Sequence, residues 1–445
     1  MKRIILFLLL LLFIPMETNA IASKGVSYLN DKYNEGNNED GLIIDDFDNL
    51  RFRGAEPNNY VIFNNEIWRI IGVFDVKKNT NSESEKRIKI IRDEPIGKYN
   101  WDYSTFSEQN SDFGISNWST SDLAYELNND YLNYNLNTNK NWYYNQTFNY
   151  NSVLKKDSQE LIDDALWNLG GNKTDSRRTA ENQYQEERNT KTCHDTNTCK
   201  DKNLTRSNTW IGKVGLIYPS DYVYASDDQT TEIYNCKNNV GYDYCKNNNW
   251  LYFRSFWWTM SPTTSFENVF SITEYGGVGY TDPANNFDIK PVVYLKEEIL
   301  IDAGDGSKNN PYTIKLPSKN NIIVIDNDNG NFYIKKKNDI AEGTKILFKA
   351  SPKEGYVLSA IELVDSDQNI IDYQKTNNNN EYTFIMPNQD VTIKPIYTKV
   401  EKASVPEIVK NPKTGTGISI IIIFMLIISS TTYIIFKRKK NYIMK

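Results

Sequence analysis

Four cysteines, Cys193, Cys199, Cys236 and Cys245, and a single histidine, His194, have the widest chemical repertoire in this 445-residue chain. Their thiols could ligate zinc, attack a carbonyl or close disulfides. Zinc needs four ligands at workable spacings. The chain has no C-x-x-C and no second His, so Cys193-His194-Asp195 reads as a loop beside a disulfide, and neither metal nor cofactor is expected. Ser-His-Asp or Cys-His catalysis would need that one His, and no G-x-S-x-G is present. Four cysteines allow three connectivities. The local pairs Cys193–Cys199 and Cys236–Cys245 are favoured, each closing a loop rich in Asn and Thr. Acid/base work by two carboxylates stays open, because no spacing singles out a pair.

Other patterns read more plainly. Asp326-Asn327-Asp328-Asn329-Gly330 hints at a calcium loop, but the glycine arrives one position early and Lys337 stands where a bidentate Glu belongs. Turn residues are expected there. Asp45, Asp46 and Asp48 read as an exposed acidic turn. Trp257 and Trp258, with Phe253 and Phe256, could stack on a sugar, although in a strand only every second side chain faces one side.

The most specific pattern lies at the C-terminus. Asn411-Pro412-Lys413-Thr414-Gly415 precedes an apolar run, Ile418 to Phe436, and then Lys437-Arg438-Lys439-Lys440. Nineteen residues make a helix of roughly 28 Å, enough to cross a bilayer core. The cations hold its end in the cytoplasm. Pro412 fixes an extended backbone, as a protease-like groove requires. This order resembles the cell-wall sorting signal of Gram-positive surface proteins, with Asn411 where Leu is usual. The resemblance implies a sortase as partner and peptidoglycan as acceptor. The sortase cysteine attacks the Thr414 carbonyl, Gly415 leaves as the amine, and the Thr414 acyl group passes to a wall amine. Without that step, the helix would remain as a membrane anchor.

The N-terminus agrees with export. Lys2 and Arg3 precede Ile4 to Pro15, and Ala20-Ile21-Ala22 offers a cleavage site, so residues 1–22 are expected to be a signal peptide. Outside 1–22 and 415–445, which hold seven Lys or Arg and one Glu, the chain carries 44 cations against 56 anions, a net of −12. That charge argues against nucleic acid as a partner. Disulfides suit the same compartment.

Several elements follow from periodicity. Asn59–Phe63 and Glu66–Val73 read as a hairpin turning at Asn64-Asn65, followed by a strand at 87–91. Ser119-Thr120-Ser121-Asp122 precedes Leu123, Leu127, Tyr131 and Leu132, whose spacing suits one face of a capped helix. A second helix is expected from Asp157 to Leu169, ended by Gly170-Gly171, and long loops from there to Ser207. Short alternating runs from Ile322 to Ile393, with a hairpin signal at Asn329-Gly330, describe a small all-β module.

Trp68-Arg69-Ile70-Ile71-Gly72, Leu216-Ile217-Tyr218-Pro219-Ser220-Asp221-Tyr222, Trp258-Thr259-Met260-Ser261-Pro262 and Lys290-Pro291-Val292-Val293-Tyr294-Leu295 together resemble a domain of unknown function in exported Firmicute proteins. There the second motif is a strand, and Arg replaces Lys290. Some relatives look C-type-lectin-like, which implies an α+β fold with a small sheet, two helices and a long ligand-presenting loop region. Gly343, Pro352, Gly355-Tyr356 and Phe384-Ile385-Met386-Pro387 through Asp390, Val391 and Ile393 resemble the divergent internalin-type B-repeat, a spacer or adhesive stalk.

The expected organisation is a signal peptide at 1–22, an α+β surface domain at 23–312 and a β-rich repeat at 313–398. A linker at 399–410 and the sorting signal at 411–445, with its helix at 418–436, complete it. The expected function is adhesion or ligand binding at the wall, without enzyme activity, the ligand being a glycan or a host protein. Formylglycine-generating oxidases share the lectin-like fold and place paired cysteines as Cys236 and Cys245 lie here, although this gap is wider. A sortase-assembled fibre subunit is the third reading.

Overall fold

The computed structural model describes residues 23–36, 40–103, 116–133, 153–170, 178–189, 206–227, 235–264 and 267–400. The signal peptide, Cys193, Cys199, His194, the linker beyond Val400 and the tail at 411–445 lie outside the described residues.

Strands outweigh helices among the described residues, 41% against 15%, with the all-β second unit counted in and all the helices in the first. Strand β1 (Ser23–Lys24) is followed by helix α1 (Gly25–Asn34) and by β2 (Leu42–Ile44), β3 (Leu50–Phe52), β4 (Tyr60–Phe63), β5 (Glu66–Lys77), β6 (Ser84–Arg92) and β7 (Lys98–Asn100). Next come α2 (Asp122–Glu126), α3 (Lys156–Gln159), β8 (Ala165–Asn168), α4 (Ala180–Glu187), β9 (Thr209–Gly212), β10 (Val214–Gly215) and α5 (Pro219–Tyr224). Strands β11 (Trp257–Pro262), β12 (Val269–Ile272), β13 (Val278–Thr281), β14 (Asn286–Asp288), β15 (Val292–Tyr294), β16 (Leu300–Ala303) and β17 (Tyr312–Lys315) close the first unit.

Its main sheet runs β1-β16-β17-β4-β5-β6-β15-β10, with β3 also paired to β5 and β2 to β3. The expected hairpin is present. Asn64 and Asn65 take φ of 60° and 61°, a left-handed pair that Asn tolerates. Tyr60 then faces Arg69 and Phe63 faces Glu66. Strand β5 is buried continuously from Trp68 to Phe74, because both faces of the sheet are covered. A second sheet, β13-β12-β11-β14-β7, packs into the same core.

Several expectations change. The helix at 157–169 is a turn of helix, α3, followed by β8, which pairs with β9. Ala165 and Trp167 point inward while Leu166 and Asn168 are half-exposed, so the period of two overrides the helical stripe. The Pro219-Ser220-Asp221-Tyr222 motif opens helix α5 instead of forming a strand: Pro219 sits in its first turn, and the Asp221 carboxylate accepts the Tyr218 N–H at 3.0 Å. Within the expected loop region, α4 forms behind a Thr179 cap whose Oγ1 accepts from Asn182 N at 3.1 Å. The boundary at 312/313 moves past Lys315, since β17 lies beside β4 with Tyr312 opposite Val61.

The second unit holds β18 (Lys319–Asn320), β19 (Ile322–Val324), β20 (Gly330–Ile334), β21 (Ile340–Ala341), β22 (Lys345–Pro352), β23 (Tyr356–Asp365), β24 (Gln374–Lys375), β25 (Glu381–Ile385) and β26 (Val391–Lys399). Its two larger sheets run β19-β26-β23 and β20-β22-β25-β24. Asn329-Gly330 therefore links two sheets and makes no hairpin. In β22, Ile346, Phe348 and Ala350 alternate into a core shared with Met386, Val391 and Ile393.

Gly72 lets β3 approach β5. A Cβ there would lie 2.2 Å from the Leu50 carbonyl oxygen, at the point where the β5–β6 register shifts. Gly72→Ala is expected to destabilise the first unit by about 1–3 kcal/mol, read as a lower urea midpoint at unchanged slope.

Candidate functional site

Strand β6 alternates so that Arg87 and Lys89 share one face, and both are fully buried. Arg87 satisfies itself on backbone, donating to the carbonyls of Leu295 (2.8 Å), Asp164 (2.8 Å), Asp163 (3.1 Å) and Tyr294 (3.2 Å). Lys89 donates to Asp221 Oδ2 at 2.5 Å, and its ammonium stands 4.4 Å from the Tyr218 ring centroid. From β3, Arg51 Nη1 donates to Asp221 Oδ1 at 2.9 Å and Arg51 Nε to Asp45 Oδ2 at 2.5 Å. Asp45 also accepts the backbone N–H groups of Phe47 and Asn49. Asp45 is thus buried, and the exposed acidic turn expected over Asp45, Asp46 and Asp48 is corrected at this residue: its carboxylate turns inward to meet Arg51.

Burial alone would push the Asp221 carboxyl up. The Lys89 ammonium and the Arg51 guanidinium together outweigh that and hold it at about 2. The neighbouring carboxylate, Glu187 at the end of α4, accepts from Ser220 N (3.0 Å), Ser220 Oγ (2.5 Å), Gln183 Nε2 (3.1 Å) and Arg188 Nη1 (3.2 Å). Burial still raises its pKa, against the pull of Arg188. Lys89 and Asp221 therefore hold each other and cross-link strands to helix. Removing either partner of such a pair would leave the other charge buried without compensation.

Two clefts among the described residues measure about 180 and 110 Å³. The larger lies between Asp46, Arg53, Tyr224 and Lys237, and the smaller beside Tyr184, Arg188 and Tyr218. Both fall below the roughly 300–1,000 Å³ of ordinary ligand pockets. No group of three or more His, Cys, Asp or Glu among the described residues is placed to hold a metal. The Asp326–Gly330 segment is an exposed turn in which Asp326 and Asn327 side chains accept backbone N–H groups of Asn327 and Asn329.

Trp257 and Trp258 are both 0% exposed, which removes them as a sugar platform. All six residues of β11 are buried, since the second sheet is covered on both sides, and Trp258 Nε1 donates to the Tyr99 carbonyl at 2.8 Å. One residue earlier the chain surfaces. The half-buried Phe256 stacks on Phe287 at 5.1 Å between centroids, and Phe287 lies 4.7 Å from Trp258. Phe256 meets Tyr275 edge-on at 6.5 Å, and Tyr275 is 64% exposed. Cys236 and Cys245 are disulfide-bonded, as expected, and the loop they close carries Tyr242, 48% exposed. That loop adjoins the Tyr275 hairpin, since Val278 N donates to the Val240 carbonyl at 2.8 Å, and helix α5 holds the same hairpin through Tyr222 Oη, which donates to the Gly276 carbonyl at 2.9 Å. Phe287, Tyr275 and Tyr242 were not singled out by sequence; exposure of a ring in a Tyr-rich chain has no local signature.

Because its folded pKa lies below the ordinary 3.8, Asp221 stabilises the fold above that pH and loses the contribution as pH falls through about 2. About 2 kcal/mol is expected to disappear over this window, measured as falling urea stability from pH 4 to pH 2. Asp221→Ala, which strands Arg51 and Lys89 without their shared partner, is expected to cost about 3–5 kcal/mol at pH 7.

No curated protein and no solved structure matches the chain. Residues 320–401 match the family described as the Divergent InlB B-repeat domain, a module typical of extracellular bacterial surface proteins, and this identifies the second unit as such a repeat.

Proposed function

We propose that this chain is a surface protein of a Gram-positive cell, covalently joined to peptidoglycan by a sortase, whose first unit binds an extracellular ligand at a distance set by one B-repeat. The observation that carries the reading is the order Asn411–Gly415, apolar run, basic tail behind a B-repeat at 320–401. The sortase cysteine attacks the Thr414 carbonyl and forms a thioester; the Thr414–Gly415 bond breaks, Gly415 leaves as a protonated amine, and a wall amine takes the acyl group.

Two structural observations support export. The Cys236–Cys245 disulfide suits an oxidising compartment. Ser23 and Lys24 pair with Ile301 and Leu300, so signal-peptide cleavage after Ala22 would leave every residue of that ladder in the mature chain. A lectin-like first unit is part of the reading, and surface adhesion is preferred to an enzyme of oxidase type because Cys236 and Cys245 are joined in a disulfide, which leaves neither thiol free for copper.

Walls digested with muramidase are expected to release the protein with a C-terminal peptide ending at Thr414 and carrying a wall fragment. Recovery of an intact tail through Lys445 would reduce the protein to a bilayer-tethered one. Thr414→Ala is expected to leave it in the membrane fraction, detected by immunoblot.

A further inference from the structure

We propose that Phe256, Phe287, Tyr275 and Tyr242 form a stacking platform for a neutral glycan. The proposal gives the ligand-binding reading a site and a ligand class, and it rests on that reading. Trp258, Phe287, Phe256 and Tyr275 form a ladder of rings from the core to solvent, with centroid steps of 4.7, 5.1 and 6.5 Å. Its inner end is fixed by the Trp258–Tyr99 hydrogen bond, and Tyr242 is held by the disulfide loop beside it. Rings held this way lose little freedom when a ligand arrives.

The chemistry of the face selects the ligand. Among the described residues from 235 to 295, the exposed large apolar side chains are Tyr242, Tyr275 and Tyr280, with no aliphatic one. Each offers an apolar ring, and the Tyr275 hydroxyl bonds the Glu274 carboxylate, which sets an acceptor beside the ring; apolar faces edged by acceptors suit a ligand with apolar faces and a hydroxyl-covered edge. Asp243 and Lys246, with side chains 57% and 39% exposed, stand on the same disulfide-closed segment and its end and can hydrogen-bond sugar hydroxyls. From 235 to 295 the four cations Lys237, Lys246, Arg254 and Lys290 are outnumbered by five carboxylates, so this segment lacks the cationic excess that sulfated or uronic glycans and single-stranded nucleic acid require, although the last also stacks on aromatics.

The test uses the full chain in mild detergent, so its outcome does not depend on whether a sortase ever acts. It is applied to an array of neutral gluco-, galacto-, manno- and N-acetylglucosamine oligomers, printed beside acidic glycans and matrix proteins. Binding to at least one neutral oligomer is expected. Tyr275→Ala should weaken it roughly five- to tenfold, with thermal stability unchanged because the ring is mostly in water. Tyr275→Phe should retain most of the affinity, and Tyr333→Ala, equally exposed on the repeat, all of it. Three results would each overturn the proposal: no neutral oligomer bound, binding confined to proteins or acidic glycans, or neutral-glycan binding indifferent to Tyr275→Ala. Failure of the wall-release experiment would leave this result standing, and the reverse also holds.

Discussion

Asp221 is where the first unit is tied together. Its two oxygens receive Lys89 from β6, Arg51 from β3 and the backbone of its own helix start. Arg51 then reaches on to Asp45, so two cations and two anions meet with their side chains buried. Charges buried singly would be ruinous, and here each faces an opposite one, yet burial still outweighs Asp221 at Lys89 and pulls its ammonium down to about 8, so the carboxylate gains more from the pairing than the amine does. The geometry leaves little choice of arrangement: helix α5 has to dock with its N-terminus over the main sheet, because only there do both cations find the carboxylate.

That docking has consequences on the far side of α5. Tyr222 packs edge-on against Trp257 at 6.2 Å and bonds the carbonyl of Gly276, so the helix also positions the second sheet and its outer hairpin. Gly276 and Gly277 are needed at this seam: a Cβ on Gly277 would lie 2.5 Å from the Gly241 carbonyl oxygen in the disulfide loop, and one on Gly276 2.5 Å from the Lys246 Cβ just beyond it. The ion cluster, a buried helix and two glycines thus set where the exposed tyrosines stand. Structure and surface are coupled through rigid packing, with no mobile element invoked.

Much of this was legible in the sequence where the signal is local. The Asn64-Asn65 turn, the capped helix at Ser121 and the alternating strands of the repeat follow from φ preferences, capping and period two. What was hidden depends on partners distant in the chain. Nothing near Asp45 indicates that Arg51 will draw it inward, or that Asp221, 170 residues beyond Arg51, completes the set. Trp257 and Trp258 looked like a site because two large rings are adjacent; burial of both faces of β11 made them core instead. The stripe at 157–169 was ambiguous by period alone, and pairing with β9 decided it. The tail is the opposite case, since its evidence is entirely linear.

The B-repeat has a mechanical property that follows from its topology. Its early strand β19 and its last strand β26 are parallel neighbours, with Ile322, Ile323 and Val324 opposite Val391, Thr392 and Ile393. On the proposed reading, a tether at residue 414 and a ligand held by the first unit would draw on these two strands from opposite ends. Such a pull slides them lengthwise, so their hydrogen bonds must yield together and cannot unzip in succession.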